Sequence, residues 1–60
     1  MIQVMVVDDQ VLLKQTLLFM LGQDEEISVI DGGKDGYEAI ENCGIYRPDV
    51  VLMDLIQEEK

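Results

Sequence analysis

Three aspartates carry the chemistry that this 60-residue chain could perform: Asp8 and Asp9 side by side, and Asp54 far along the sequence. Each group closes an apolar run, Ile2-Gln3-Val4-Met5-Val6-Val7 in the first case and Val50-Val51-Leu52-Met53 in the second. Nearly unbroken aliphatic runs of this kind are how parallel strands covered on both faces are written. Open α/β sheets bind ligands at the carboxyl ends of their strands. If the two strands are neighbours, three carboxylates meet in one small volume and repel each other. A raised pKa relieves such a cluster, and so does a hard divalent cation. Magnesium takes one or two carboxylates plus water and phosphate oxygens. A carboxylate left facing that cation can attack a phosphoryl group in line and become an acyl phosphate. Singly, an aspartate after a strand is a turn former or a helix cap. Only the joint placement at two strand ends points to chemistry.

Other chemistries are excluded or weakly supported. The chain has no histidine, which removes histidine-based triads and histidine metal sites. Asp31-Gly32-Gly33-Lys34-Asp35-Gly36 is glycine-rich but lacks the spacing of a dinucleotide or phosphate-binding loop, and it reads as a turn and a helix start. Cys43 has no partner for an internal disulfide, fits a reducing cytosol, and reads as a small buried apolar residue. A net charge of −9, with 13 acidic against four basic residues, argues against direct nucleic-acid binding. It suits a cation and a basic or apolar protein partner. No stretch has the roughly 18 apolar residues of a membrane span, and no secretory leader is evident, so a cytoplasmic protein is expected.

The elements that must position the aspartates follow from periodicity and punctuation. After the first strand, Leu13, Leu17, Met20 and Leu21 recur at helical spacing, with Asp9 as the expected N-cap and Gly22 as a left-handed stop. Leu12, Leu18 and Phe19 fall off that face, either under neighbouring elements or as a surface for a partner. Ile27-Ser28-Val29-Ile30 reads as a short edge strand broken by Asp31-Gly32-Gly33. A second helix is expected from about Asp35 to Cys43. Asp35 and Glu38 stand at capping-box spacing, and Ala39, Ile40 and Cys43 line its inner face. Gly44 and Pro48 bracket the return to the last strand. The order is βαβαβ with short connections, which predicts parallel strands, right-handed crossovers and a 2-1-3 sheet, one half of a doubly wound α/β fold. Sixty residues make one domain at most, with a small core.

Val6-Val7-Asp8-Asp9-Gln10, Asp35-Gly36-Tyr37-Glu38-Ala39-Ile40 and Arg47-Pro48-Asp49-Val50-Val51-Leu52-Met53-Asp54-Leu55 together resemble the receiver domain of two-component response regulators. The resemblance runs without a gap over residues 1 to about 55, leaves 56–60 as a divergent tail, and is strongest to receivers that precede a LuxR-type DNA-binding domain. It implies a flavodoxin-like sheet and a signalling module that is not itself an enzyme. It implies that Asp54 is the phosphoacceptor, loaded by a histidine kinase or a phosphotransfer protein. It implies that Mg2+ is held by Asp8, Asp9, Asp54 and the backbone carbonyl of Ile56. The first helix of such domains helps dock the kinase, which gives Leu12 and Thr16 a candidate role.

The chain also departs from the family. Gln57 and Glu58 stand where the family has a Met-Pro pair, and the match covers only the N-terminal half of a receiver. The other half carries a hydroxyl residue and a lysine that contact the phosphoryl oxygens. The expectation is therefore a truncated receiver, impaired in phosphoryl transfer. The alternative is a non-catalytic fragment that associates with itself, through the third strand or the first helix, around an idle acidic site.

Overall fold

The computed structural model describes residues 1–54 and contains five elements: β1 (Ile2–Asp8), α1 (Val11–Gly22), β2 (Ile27–Gly33), α2 (Gly36–Tyr46) and β3 (Val50–Asp54). The three strands form one parallel sheet in the order β2-β1-β3. This is the expected βαβαβ half of a doubly wound, flavodoxin-like sheet. Strand β1 is central because both crossovers leave from it or pass over it, and it is the most buried strand. Val4, Met5, Val6 and Val7 are all buried.

The pleat of β1 assigns each helix to a face. Met5 and Val7 pack with Ala39 of α2, with Ile30 and Cys43 alongside, and so define the α2 face. Cys43 is half-buried at this edge of the core, a small apolar filler as its sequence suggested. Val4 and Val6 point the other way. Val29, the partner of Val4 in β2, lies 3.7 Å from the position a Cβ would take on Gly22, which puts α1 on that side. Register then distributes β3 between the two faces. Val50, Leu52 and Asp54 stand beside Val4, Val6 and Asp8, while Val51 and Met53 stand beside Met5 and Val7. All five residues of β3 are exposed.

Several local expectations are corrected. The N-cap of α1 is Gln10, with no side-chain cap, rather than Asp9. Gly22 is the last residue of the helix and Gln23 follows in ordinary right-handed geometry, so no left-handed stop occurs there. The buried side of α1 is formed by Lys14, Leu17, Leu18 and Leu21, whereas Leu13 and Met20 are exposed. Strand β2 does not break at Asp31 but runs on to Gly33, because a bulge opposite Val6 and Val7 absorbs the extra residue. Gly32 is required there by close approach. A Cβ would fall 2.5 Å from Met5 Cγ and 2.8 Å from Val7 Cγ2. Gly33 takes a φ of 106°, which favours glycine.

Helix α2 begins as read, the Asp35 carboxylate accepting the Glu38 backbone N–H at 2.9 Å. It continues past Gly44 to Tyr46 and stops at Arg47, whose left-handed φ of 50° precedes Pro48. The proline disfavours right-handed helical geometry at the residue before it, so the stop falls at Arg47 rather than Gly44. Ile40 is 76% exposed and does not line the inner face.

Candidate metal and phosphoacceptor site

The site is assembled by register. Asp8 ends β1, Asp54 ends β3, and the two are direct partners in the parallel ladder. Their Cα atoms are thus separated by about one strand spacing, roughly 4.8 Å, with both side chains on the α1 face. A pair of hydrogen bonds at the other end of the strands sets this register. The Gln3 N–H donates to Asp49 Oδ2 at 2.8 Å, and the Asp49 N–H donates to the Gln3 carbonyl at 2.9 Å. Asp49 therefore clips β3 onto β1 five residues before Asp54. Its role was hidden in the sequence, where Asp49 appeared only as part of a motif.

Asp8 is 1% exposed. Its Oδ1 accepts the Gln10 backbone N–H at 2.8 Å, which fixes the carboxylate against the start of α1. Its Oδ2 is buried and has no hydrogen-bond partner among the described residues. Buried polar atoms are nearly always satisfied, so this orphaned carboxylate oxygen at a strand end is one that a cation would satisfy. Asp9 and Asp54 are exposed. Among the described residues, no three carboxylate, histidine or cysteine side chains form a ready-made cage for a metal ion. What the fold brings together is the pair Asp8 and Asp54, with Asp9 next in sequence to the first. One or two carboxylates with water completing the shell is the donor set that magnesium prefers, so these residues fit the ion. Ile56, whose carbonyl was expected as a further ligand, lies outside the described residues.

A second charged feature adjoins the pair. Lys14, only 8% exposed, places its Nζ 3.1 Å from Asp31 Oδ1 at the end of β2. Burial tends to raise the Asp31 pKa. The Gly33 N–H at 2.9 Å and the Lys14 ammonium outweigh that and hold it below its usual value of 3.8. Nothing in the sequence signals this ion pair, because Lys14 and Asp31 are 17 residues apart and meet only through the packing of α1 on β2.

A parallel sheet in 2-1-3 order, with aspartates paired at the ends of adjacent strands, places the chain among α/β modules of the receiver type. No family model matches the chain. Curated proteins do. It is 46% identical over 54 residues to the protein-glutamate methylesterase/protein-glutamine glutaminase of Desulfitobacterium hafniense, covering 90% of this chain and 14% of that protein. The enzyme of the same name from Lawsonia intracellularis is 46% identical over 55 residues, or 92% of this chain and 15% of that protein. The transcriptional regulatory protein DegU of Brevibacillus brevis is 37% identical over 54 residues, 90% of this chain and 23% of that protein. The chain thus spans less than a quarter of each of these relatives. Their names describe different outputs, so what it shares with all of them is the N-terminal receiver segment. The chain belongs to the response regulator receiver family.

Proposed function

We propose that this chain is the phosphoacceptor portion of a two-component receiver, with Asp54 as acceptor and Asp8 and Asp9 holding Mg2+ beside it. The observation that carries this reading is the in-register pairing of Asp54 with Asp8, whose Oδ2 is buried without a partner. The phosphoryl donor is a histidine kinase or a phosphotransfer protein, and the setting is cytoplasmic. Among the described residues no helix is long and apolar enough to cross a membrane.

In the transfer, an Asp54 carboxylate oxygen attacks phosphorus in line. The O–P bond forms as the bond from phosphorus to the donor's imidazole nitrogen breaks, and the electron pair leaves on that nitrogen. Bound magnesium supplies neutralisation of charge on the phosphoryl oxygens. Asp8, fixed by the Gln10 N–H on the central strand, would help hold that cation, while exposed Asp54 is open to the donor. The backbone carbonyl of Ile56 is a further proposed ligand. One acceptor oxygen is consumed per phosphoryl group, so the module is modified by the reaction and is not an enzyme.

Loading of the 60-residue polypeptide by itself is slow. Every residue of β3 is exposed, so water screens the field around Asp54. Preorganised electrostatics supply most of the acceleration in such reactions, and one absent donor costs roughly 3 kcal/mol. Incubation with acetyl phosphate and magnesium tests both statements. A slow, substoichiometric gain of one phosphoryl group, absent from Asp54→Asn, is expected. Label that persists in Asp54→Asn rejects Asp54 as acceptor, and rapid stoichiometric loading rejects the impairment.

A second reading, self-association around an idle site, is supported by a different observation. Strand β3 presents Val50, Val51, Leu52 and Met53 exposed along an unpaired edge, and Leu12 and Phe19 are exposed on α1. Unpaired apolar edges of this kind template pairing with another chain.

A further inference from the structure

We infer that the Lys14–Asp31 ion pair is a positioning clamp for Asp8, an inference that rests on the proposed metal role of that carboxylate. The argument starts from sheet rows. Asp31 is the partner of Val6 in the β1–β2 ladder, and Val6 lies two residues before Asp8. Residues two apart on a strand share a face and stand roughly 6.6 Å apart. The ion pair and the Asp8 carboxylate are therefore successive rows under the same helix.

A short chain of bonds links them. Asp8 Oδ1 accepts from the Gln10 N–H at 2.8 Å. The Gln10 carbonyl accepts the Lys14 backbone N–H at 3.0 Å, the first turn of α1. The Lys14 ammonium reaches Asp31 Oδ1 at 3.1 Å, and the same oxygen accepts the Gly33 N–H at 2.9 Å inside the β2 bulge. The start of α1 has no side-chain cap, and nothing acidic stands in its first turn. Its position over the sheet is then set by its buried residues, of which Lys14 is the one nearest Gln10. Asn42 of α2 secures the other side of the bulge by donating to the Gly32 carbonyl at 3.0 Å. With β2 held from both helices, Lys14 fixes where the Gln10 N–H sits, and that N–H fixes the rotamer of Asp8.

Simple electrostatics predicts the opposite outcome for one substitution. Lys14→Met keeps the length and apolar stem but removes a positive charge from a chain of net charge −9. Coulomb attraction alone would then tighten cation binding. The clamp predicts weaker binding, by about tenfold, the lower end of what losing an outer support of a metal ligand costs.

The test is a titration of the full chain with magnesium chloride at constant ionic strength, followed through the amide shifts of Asp8 and Gln10. Lys14→Met is expected to shift the Gln10 amide in the metal-free protein and to raise the magnesium dissociation constant about tenfold. Lys14→Arg is expected to restore both. Gln15→Ala, at an exposed position of α1 that makes none of these contacts, is expected to leave the magnesium constant unchanged. Unchanged or tighter binding in Lys14→Met overturns the clamp. A wild-type chain with no saturable shift at Asp8 refutes the metal reading instead. The metal-free Gln10 amide then decides the clamp alone: an unmoved signal in Lys14→Met overturns it.

Discussion

Replacing Asp8 with asparagine should make the metal-free chain more stable. The carboxylate is 1% exposed with one oxygen bonded to the Gln10 N–H and the other unpaired. A buried polar atom without a partner costs about 1–3 kcal/mol, and more when it is charged. Asparagine has the same shape, keeps an acceptor for the Gln10 N–H and carries no charge, so Asp8→Asn should recover about 1–2 kcal/mol. In a chain this small that is a rise in Tm of roughly 8–16 °C. Magnesium should narrow that gap. At ten times its dissociation constant a ligand stabilises the form it binds by about 1.4 kcal/mol, and the variant should gain almost none of this. The assay is thermal and urea unfolding of both chains, at neutral pH, with a chelator and then with increasing magnesium. The two stabilities should converge as the cation is added. A variant less stable than the wild type in chelator would refute the reasoning, because Asp8 would then be a net structural contributor.

Gly32→Ala should destabilise the chain by about 1–3 kcal/mol through overpacking, since the new methyl meets the fully buried Met5 and Val7 side chains; urea midpoints measure it. The Asp31 carboxyl should titrate with a midpoint below 3.8 in the folded chain, followed by its side-chain carbon shift. Because that value is depressed by folding, the associated stability is present above the unfolded value near 3.8 and is lost as pH falls through the folded one. Asp31→Asn should flatten that acid limb. If the chain associates through β3, Val51→Lys should lower the association constant measured by sedimentation equilibrium, while Leu12→Glu should lower it if α1 is the contact; a chain that stays monomeric at tens of micromolar refutes both routes.

The order of strands and the pairing of Asp8 with Asp54 were legible because they depend on coarse features. Two aliphatic runs, short connections and strand-end acids leave few topologies. The phase of α1 was not legible. Leu12, Leu13, Leu17, Leu18, Phe19, Met20 and Leu21 put apolar groups on nearly every side, so periodicity alone does not choose which stripe is buried. What chooses it is Lys14, whose apolar stem lies under the helix while its ammonium reaches Asp31. That contact depends on β2 continuing through a bulge, which two adjacent glycines disguise as a turn. At α2, the cap at Asp35 was readable from a local rule, but the stop was not. Gly44 competes with Arg47, and the steric demand of Pro48 settles it in favour of the arginine. Asp49 was read as a motif position, although its bonds to Gln3 are what hold the last strand in register.

The two aspartates sit on strands of unequal lifetime. β1 is sheathed on both faces and both edges, whereas β3 is bonded along one edge and wet on every residue. Amide hydrogens of Val6 and Val7 should therefore exchange only through the largest openings of the molecule, and those of β3 through small and frequent ones. With Asp54 as the proposed acceptor, a phosphoryl group would land on the fast side of a site whose anchor, Asp8, belongs to the slow side. A cation held by Asp8 and Asp54 would tie the two clocks together. Exchange rates in β3 then become a direct gauge of how well the site is closed.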